Sequence, residues 1–481
     1  MNKIRIPSKK KLFSDKFFTL ATGTLGAYIL PIIFLPILTR IYTPNEFSLY
    51  AIYITIIQIT SMFSTFKFDL AIPVTDSYDD KKLLLRLSVI NMFISSILVG
   101  LFLFIYSIFF NSFPSLLVYL IPYGIILHCI FTHILYNWLL SKKKLGLISK
   151  GKIIFGVFSS LLPIIIFFLF NLKDYSYIIF SHQISLLLVL IIILINLYGS
   201  STIKVLVSIF DFRFSEIFST VKKYKKYALF SSPSSLMNIF GIWVPVLFIW
   251  VFFEEKYVSL FFLSLRAVSF PLQILGDSVG KIFYSEATQN IQDGILSETI
   301  SKYFKLLFHI AYAFLIFSLF FSVDLFSLIF NPDWSQSSLF VMILSPLFFV
   351  RLLGSPISTI PTILYRQEIE FKFQLILFLT RLSGLIIGVF FKNLYLALIL
   401  FSFASTFCWL IYLFILLRMG GLTIHSLLID TIKEKTYYLL SILILTLLIK
   451  ILFLEPTLIF ISLVILLLYF LNTLLFEIRK I

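Results

Sequence analysis

Charge is scarce in this sequence: only 13% of its 481 residues are Asp, Glu, Lys or Arg. A soluble domain carries about 25% charged residues because its surface faces water. Hydrophobic residues make up 60% of the chain, with 58 Phe among them, and the mean hydropathy is +1.03. No soluble core accommodates that much apolar volume. The composition therefore indicates a helical membrane protein with many spans, since lipid accepts apolar side chains on every face of a helix.

Cysteine is also scarce, and both copies, Cys129 and Cys408, lie inside apolar runs. Their positions argue against a disulfide and against a metal site. The sequence contains no P-loop, nucleophile elbow, zinc motif or pair of carboxylates spaced for hydrolysis. We therefore expect no enzyme activity, no cofactor and no metal ion.

Acidic residues are outnumbered by basic ones, 23 to 39, which gives a formal net charge of +16. A basic balance is typical of nucleic-acid binding, but here the Lys and Arg residues fall in the short gaps between apolar runs. They concentrate in alternate gaps, as the positive-inside rule requires of cytoplasmic loops. This pattern predicts that both termini are cytoplasmic and that nucleic acid is not a partner.

Runs of about 20 mostly apolar residues predict fourteen transmembrane helices. The predicted spans are residues 17–39, 47–72, 83–110, 114–140, 147–170, 176–198, 227–252, 257–284, 303–330, 338–365, 372–391, 394–417, 435–453 and 457–476. The seventh and eighth helices weakly resemble the first two helices in sequence. This similarity indicates a parallel repeat. The predicted parts are a six-helix lobe (1–200), a linker (201–226), a second six-helix lobe (227–418) and an additional helix pair (419–481).

The linker carries the densest basic cluster of the chain. Its segment Ile203–Phe218 is predicted to be an amphipathic helix on the inner membrane face. The lysines between Lys222 and Lys226 then meet anionic lipid headgroups, at about 1 kcal/mol each. A plain orientation signal explains the same residues, and both interpretations remain open.

Polar side chains inside the spans point to a water-filled cavity, because a charge at a helix centre costs about 2.5–3.5 kcal/mol on insertion scales. In the second predicted helix, Gln58, Thr65 and Asp69 follow steps of seven and four residues and share one face. Lys67 lies beside them. Asp69 is a candidate for exchanging a coupling ion, although a local pair of Lys67 with Asp69 explains the same charges.

The second half of the chain repeats this feature more strongly. The eighth predicted helix carries a polar stripe, and the tenth and eleventh add further basic and hydroxyl groups. We predict that the stripe lines a cationic cavity, because guanidinium binds phosphate bidentately and keeps its charge. The residues are Arg266, Gln273, Asp277, Lys281, Arg351, Ser355 and Arg381, with Asp277 as the second candidate for ion exchange. Four histidines also lie in spans, at positions 128, 133, 182 and 309, where packing explains them better than proton carriage.

Two motifs resemble a known family. The stretch PILTRIYTPNEFSLYAIY, followed by FKFDLAIP, is similar to the start of bacterial oligosaccharide-lipid flippases, a branch of the multidrug/oligosaccharidyl-lipid/polysaccharide exporter superfamily. The chain keeps the Arg, Tyr, Pro and Glu of that pattern but has Ser48 where Gly is usual and Lys67 where Arg is common. The segment FPLQILGDSVGKIFYSEA resembles the eighth helix of the same family.

The resemblance implies a V-shaped pair of six-helix lobes in the bacterial cytoplasmic (inner) membrane, which alternate access to a central cationic cavity. The implied substrate is an undecaprenyl-diphosphate-linked oligosaccharide, such as an O-antigen unit of lipopolysaccharide, and the implied partners are a polysaccharide polymerase and a chain-length regulator. Proton or sodium coupling is expected of such exporters. At the outer face, we expect Arg40 and Glu46 to pair as a gate, or Glu46 to act only as a helix cap. The alternatives are a cation-coupled multidrug exporter of the same superfamily and a membrane polysaccharide polymerase.

Overall fold

A computed structural model of the protein describes residue 26 and residues 29–109, 114–197, 214–290, 295–364 and 366–452. Every regular element in these ranges is helical, and no strand occurs in them. Ten of the described helices are long and apolar enough to cross a membrane. The predicted all-α polytopic class is therefore confirmed. The predicted last span and most of the predicted amphipathic segment lie outside the described residues.

The chain divides into two compact units, Met1–Leu247 and Phe248–Ile481. The described elements of the first unit are α1 (Ile29–Ile41), α2 (Pro44–Ser64), a 3₁₀ turn (Phe68–Ala71), α3 (Tyr78–Phe109), α4 (Ser115–Cys129), a π-helical turn (Ile130–Leu135), α5 (Tyr136–Ser141), α6 (Leu145–Phe170), α7 (Tyr175–Leu197), α8 (Phe214–Lys226) and a second π-helical turn (Tyr227–Ser231). Helix α9 (Ser232–Phe252) crosses the boundary between the units.

The second unit is also built from long antiparallel helices joined by short turns. Its described elements are α10 (Lys256–Asn290), α11 (Leu296–Ile329), α12 (Ser337–Gly354), a 3₁₀ turn (Pro356–Thr359), α13 (Ile360–Ile363), α14 (Gln367–Phe390), α15 (Leu394–Met419) and α16 (Ile424–Leu452). Helix α15 packs against both α12 and α14. This packing places polar groups of three helices in one region of the unit.

The second predicted helix is shorter than its apolar run suggests. Helix α2 ends at Ser64, and the next residues turn through left-handed backbone at Phe66 (φ 48°) and Lys67 (φ 60°). This conformation costs a non-glycine residue about 1–2 kcal/mol. Asp69 therefore lies in the 3₁₀ turn and not on the helix face predicted for it. The apolar run overestimated the length of this helix because the turn that follows Ser64 is itself buried.

The tenth predicted helix is also interrupted, and proline is the cause. Helix α12 ends at Gly354, and the 3₁₀ turn that follows begins with Pro356. Proline removes a backbone donor and clashes with the preceding turn of an α-helix. Arg351 and Ser355 thus belong to a helix end, where the Ser355 amide donates to the Arg351 carbonyl at 2.8 Å. The residues beyond them form the 3₁₀ turn and the short helix α13 and do not continue α12.

The end of the linker is docked onto its own unit. Lys223 of α8 forms an ion pair with Asp80 at the start of α3. The Tyr224 hydroxyl donates to the same carboxylate at 3.0 Å and lies 2.9 Å from the Thr75 hydroxyl. Three other lysines of the cluster, at positions 222, 225 and 226, are exposed. Lys223 is therefore engaged within the protein, and the lipid contact predicted for the cluster remains a prediction for its neighbours.

Candidate functional site

Two arginines of different helices lie inside the second unit. Arg381 lies in the middle of α14 with 3% of its surface exposed, and Arg351 lies half-buried in the last turn of α12. The charge of Arg351 acts on Arg381, so the two guanidinium groups lie within electrostatic range and repel each other. We call Arg351 and Arg381 the arginine pair. Sequence predicted both residues as cavity cations, and the fold brings them together.

Neutral groups hold the arginine pair in place. The Arg381 Nε donates to the Ser405 hydroxyl of α15 at 2.9 Å, and its guanidinium lies 5.3 Å from the ring centroid of Phe401. The Arg351 guanidinium lies 5.8 Å from the ring centroid of Phe348. Among the described side chains, neither arginine has an ion-pair partner. Two buried like charges without a carboxylate are costly unless an anion joins them.

Helix α10 supplies the rest of the predicted cationic stripe. The guanidinium of Arg266 lies 5.1 Å from the Phe262 ring centroid and is half-buried. Further along, Gly280 approaches the 3₁₀ turn after α12, where an added Cβ would lie 3.7 Å from the Pro356 Cα. The side chains of three predicted residues, Gln273, Asp277 and Lys281, lie outside the described part of the structure. Their roles remain predictions.

Asp69 forms the centre of a second polar cluster, in the first unit. Its carboxylate is fully buried and accepts a hydrogen bond from the Asn137 amide at 2.8 Å and one from the Thr65 hydroxyl. The Nδ1 of His133 lies 3.5 Å from the same carboxylate. These residues come from the turn after α2, from α5 and from the π-helical turn before α5. We call Thr65, Asp69, His133 and Asn137 the Asp69 cluster.

The electrostatics of the Asp69 cluster favour a charged carboxylate. Burial alone would raise the pKa of Asp69, but the hydrogen bond and charge of His133, the Thr65 hydroxyl and Lys67 together hold this pKa below its ordinary value. The ammonium of Lys67 is not in direct contact with Asp69: it lies 3.1 Å from the Met62 sulfur. The local Lys67–Asp69 pair predicted as an alternative is therefore replaced by contacts of Asp69 with Thr65, His133 and Asn137.

A cluster of aromatic and imidazole rings lies deeper in the first unit. The hydroxyl of Tyr53 lies 3.4 Å from the His182 Nδ1, with both residues buried. Around His182, ring centroids lie at 5.6 Å for Tyr53, 5.3 Å for Phe155 and 6.5 Å for His128. Gly124 makes this approach possible, because an added Cβ would collide with the Tyr53 hydroxyl and lie 2.6 Å from the Ile57 Cδ1. The prediction from the sequence was that these histidines are packing groups.

The hairpin between α1 and α2 is organised by a capping box. The Glu46 carboxylate accepts from the Thr43 amide at 2.8 Å and from the Thr43 hydroxyl at 3.0 Å, which satisfies the helix start. Arg40 is exposed, and no ion pair between Arg40 and Glu46 occurs among the described residues. A gating role for the two residues remains a prediction. Gln58, predicted to face the cavity, is half-buried on α2.

The sequence did not identify the hydrogen-bond partners of Asp69 and Arg381. Asn137 and Ser405 are short polar residues inside apolar helices, and nothing in a single sequence tells which charge such a residue will face. One signal was available for Asn137, since it follows His133 by four residues and therefore shares its helix face. The partners come from distant parts of the chain, which only packing brings together.

Comparisons with known proteins agree on the fold. No family model matches the chain, and no curated protein matches it in sequence. Among solved structures, the lipid II flippase MurJ in an inward closed conformation matches with a TM-score of 0.61 at 14% identity, over 96% of this chain and 97% of that one. An inward-facing multidrug resistance MATE family transporter of the MOP superfamily matches with a TM-score of 0.58 at 14% identity, over 84% and 94%.

A third structure, a mutant of the Vibrio cholerae MATE transporter VcmN, matches with a TM-score of 0.54 at 14% identity. The match covers 85% of this chain and 96% of that one. At such identities the likeness shows a shared fold and nothing finer. The chain therefore has the helical fold of these transporters.

Proposed function

We propose that this protein is a transporter that moves an anionic lipid-linked glycan, of the undecaprenyl-diphosphate type, from the inner to the outer leaflet of the bacterial cytoplasmic membrane. The observation that carries the proposal is the arginine pair. A diphosphate supplies the negative charge that Arg351 and Arg381 lack among the described residues, and each guanidinium offers a bidentate donor face to phosphate. The likeness of fold to a lipid II flippase supports the same class of cargo.

The glycan requires partners of a different kind. Sugar hydroxyls bind neutral donors and acceptors, and the proposed groups are Gln58, Gln273 and Ser355. Additional phosphate contacts are assigned to Lys67, Arg266 and Lys281. The undecaprenyl tail stays in lipid, so only the headgroup passes through the protein. Both termini face the cytoplasm in this scheme, and delivery of the glycan serves an O-antigen or another surface polysaccharide.

Substitution of the arginine pair tests the proposal. In vesicles that contain an undecaprenyl-diphosphate-linked monosaccharide, Arg351→Ala and Arg381→Ala should each reduce flipping about 10- to 100-fold, the loss of one or two charge-assisted contacts. Arg381→Lys should retain part of the activity, because lysine keeps the charge but loses the bidentate geometry. Arg266→Ala is expected to behave like the two alanine variants.

The matched control is Arg418→Ala, since Arg418 is an exposed arginine at the end of α15. This variant should flip the lipid at the wild-type rate. Normal flipping by Arg351→Ala and Arg381→Ala together would remove the pair from the site and end the proposal.

A cation-coupled multidrug exporter is the second candidate, because the fold is also that of MATE transporters. The arginine pair would repel a cationic drug. This repulsion favours the anionic cargo. The two candidates differ in one assay: cells that express the protein should not gain resistance to cationic dyes. Resistance that survives Arg381→Ala would favour the drug exporter.

The energy source is proposed to be a proton or sodium gradient, with Asp69 and Asp277 as exchange groups. Removal of the glycan-lipid by an outer polymerase is the alternative, since it pulls a passive carrier forward. An imposed gradient should accelerate flipping by the wild type, and the double variant Asp69→Asn with Asp277→Asn should remove that acceleration. Flipping that ignores every gradient would favour the passive carrier.

A further inference from the structure

The first unit contains two histidines, His128 and His133, on one continuous helical segment. His128 lies in the last turn of α4, and His133 lies in the π-helical turn that follows. His128 stacks towards His182 of α7, and His133 lies against Asp69. Intramembrane chains of histidine and carboxylate are the usual route of protons through transporters.

The π-helical turn sets the directions in which His128 and His133 point from the helical segment. In an α-helix, five residues rotate the chain by about 500°, so residues five apart point to different sides. The hydrogen bonds of a π-turn join residues five apart, and the turn absorbs the extra residue. His128 and His133 are therefore brought closer to one side of the segment. Such turns occur frequently at functional sites.

At this turn, side chains donate hydrogen bonds to backbone carbonyl groups. The Thr132 hydroxyl donates to the carbonyl of His128 at 2.7 Å, and the Asn137 amide donates to the carbonyl of His133 at 3.0 Å. Asn137 also binds Asp69, so the turn and the carboxylate are held by the same residue. The π-turn is thus built into the Asp69 cluster.

We propose that His128 and His182 form a binding site for one exchangeable proton, which passes to or from His133 and Asp69 of the Asp69 cluster. The ring centroids of His128 and His182 lie 6.5 Å apart, with 18° between the ring planes. One imidazolium fits this arrangement because the Tyr53 hydroxyl oxygen lies 3.4 Å from the His182 Nδ1 and can accept from its N–H, while Phe155 packs edge-to-face with the imidazole ring. A second imidazolium is disfavoured because the two positive charges would lie in a low-dielectric interior. The proton arrives from hydronium, so an O–H bond breaks as the imidazole N–H bond forms, and release to water reverses both changes.

The groups around the two histidine sites do not oppose this assignment. The described rings that contact His182 carry no fixed charge: Tyr50 and Tyr53 from α2 and Phe155 from α6. Around Tyr53 itself, Tyr123 of α4 and Gln183 of α7 are also uncharged. Near Asp69, the titratable groups that interact with the carboxylate are His133, Lys67 and the thiol of Cys129. The His133 Nδ1 lies 3.5 Å from the Asp69 carboxylate.

The site is independent of the anion site, so it is tested by proton binding itself. The chain has five histidines, and single variants of the ¹⁵N-histidine-labelled full-length protein in lipid nanodiscs assign every NMR signal. In the wild type, His128 and His182 should titrate between pH 5 and 8 in two coupled steps more than about 1 unit apart. His182→Gln keeps a hydrogen-bonding group for Tyr53 but binds no proton, so His128 should then titrate in a single step.

The matched control is His309→Gln, which removes a buried histidine of the second unit and should leave the two coupled steps unchanged. A second measurement uses flipping of an undecaprenyl-diphosphate-linked monosaccharide under an imposed pH gradient. His128→Gln and His182→Gln should lose the acceleration by the gradient completely, whereas His309→Gln should keep it. Absence of flipping by the wild type would contradict the proposed function but not the proton site, which the NMR titration decides. Histidine signals that titrate independently, or that stay neutral down to pH 5, would overturn the site.

Discussion

Replacement of Arg381 by methionine should make the protein more stable while it abolishes transport. Arg381 is 3% exposed, and its charge is repelled by Arg351. Methionine has a similar length and fills the same space without a charge. The variant loses the hydrogen bond to Ser405, but the Ser405 hydroxyl also donates to the Phe401 carbonyl at 2.6 Å and therefore stays satisfied.

The magnitude follows from the behaviour of buried charges. Desolvation of a guanidinium costs several kcal/mol, and replacement of buried charged groups by apolar residues is often stabilising by about 1–4 kcal/mol. We expect Arg381→Met to fall in that range, because no carboxylate among the described residues offsets the penalty. The assay is thermal unfolding in detergent, with Arg418→Met as the exposed control, which should change stability by less than about 0.5 kcal/mol.

Inorganic pyrophosphate provides the complementary measurement. An anion that binds the folded state stabilises it by about 2.7 kcal/mol at 100 times its dissociation constant. Pyrophosphate should therefore raise the melting temperature of the wild type and leave that of Arg381→Met unchanged. A variant that is less stable than the wild type, or that still responds to pyrophosphate, would refute an uncompensated charge at this position.

Three further predictions concern the first unit. Gly124→Ala should destabilise the protein by about 1–3 kcal/mol in thermal unfolding, because the new methyl group collides with the Tyr53 hydroxyl; wild-type stability would contradict the close approach. Glu46→Ala should cost about 0.5–2 kcal/mol because it removes the capping box, whereas Arg40→Ala should be neutral; equal losses in both would favour an ion pair. Asp69 has a lowered pKa, so the stability it contributes is present above about pH 3.9 and is lost as the pH falls through its folded-state pKa; Asp69→Asn should lack this acid-side loss in a pH series of melting temperatures.

Much of the architecture could be predicted from the sequence, because membrane insertion depends on local composition. Apolar runs of about 20 residues identify spans whatever their neighbours are, since every backbone polar group of a span is satisfied within its own helix. The all-helical class was predicted on that ground and is confirmed. The same logic placed Arg351 and Arg381 in the interior, because a charge inside a span is costly and therefore uncommon.

Only the tertiary structure decided which of these groups meet. Apolarity does not show where a helix stops when the following turn is itself buried, and this is why α2 ends at Ser64 and not near Ile72. It also does not show that Asp69 binds Asn137, which lies 68 positions further along the chain, or that Arg381 binds Ser405. A hydrogen bond between distant residues depends on how helices pack against each other, and packing is a property of the whole unit. Composition thus determined that the protein crosses a membrane with buried charges, and the fold determined that Arg351 and Arg381 lie within electrostatic range of each other without a counter-ion among the described residues.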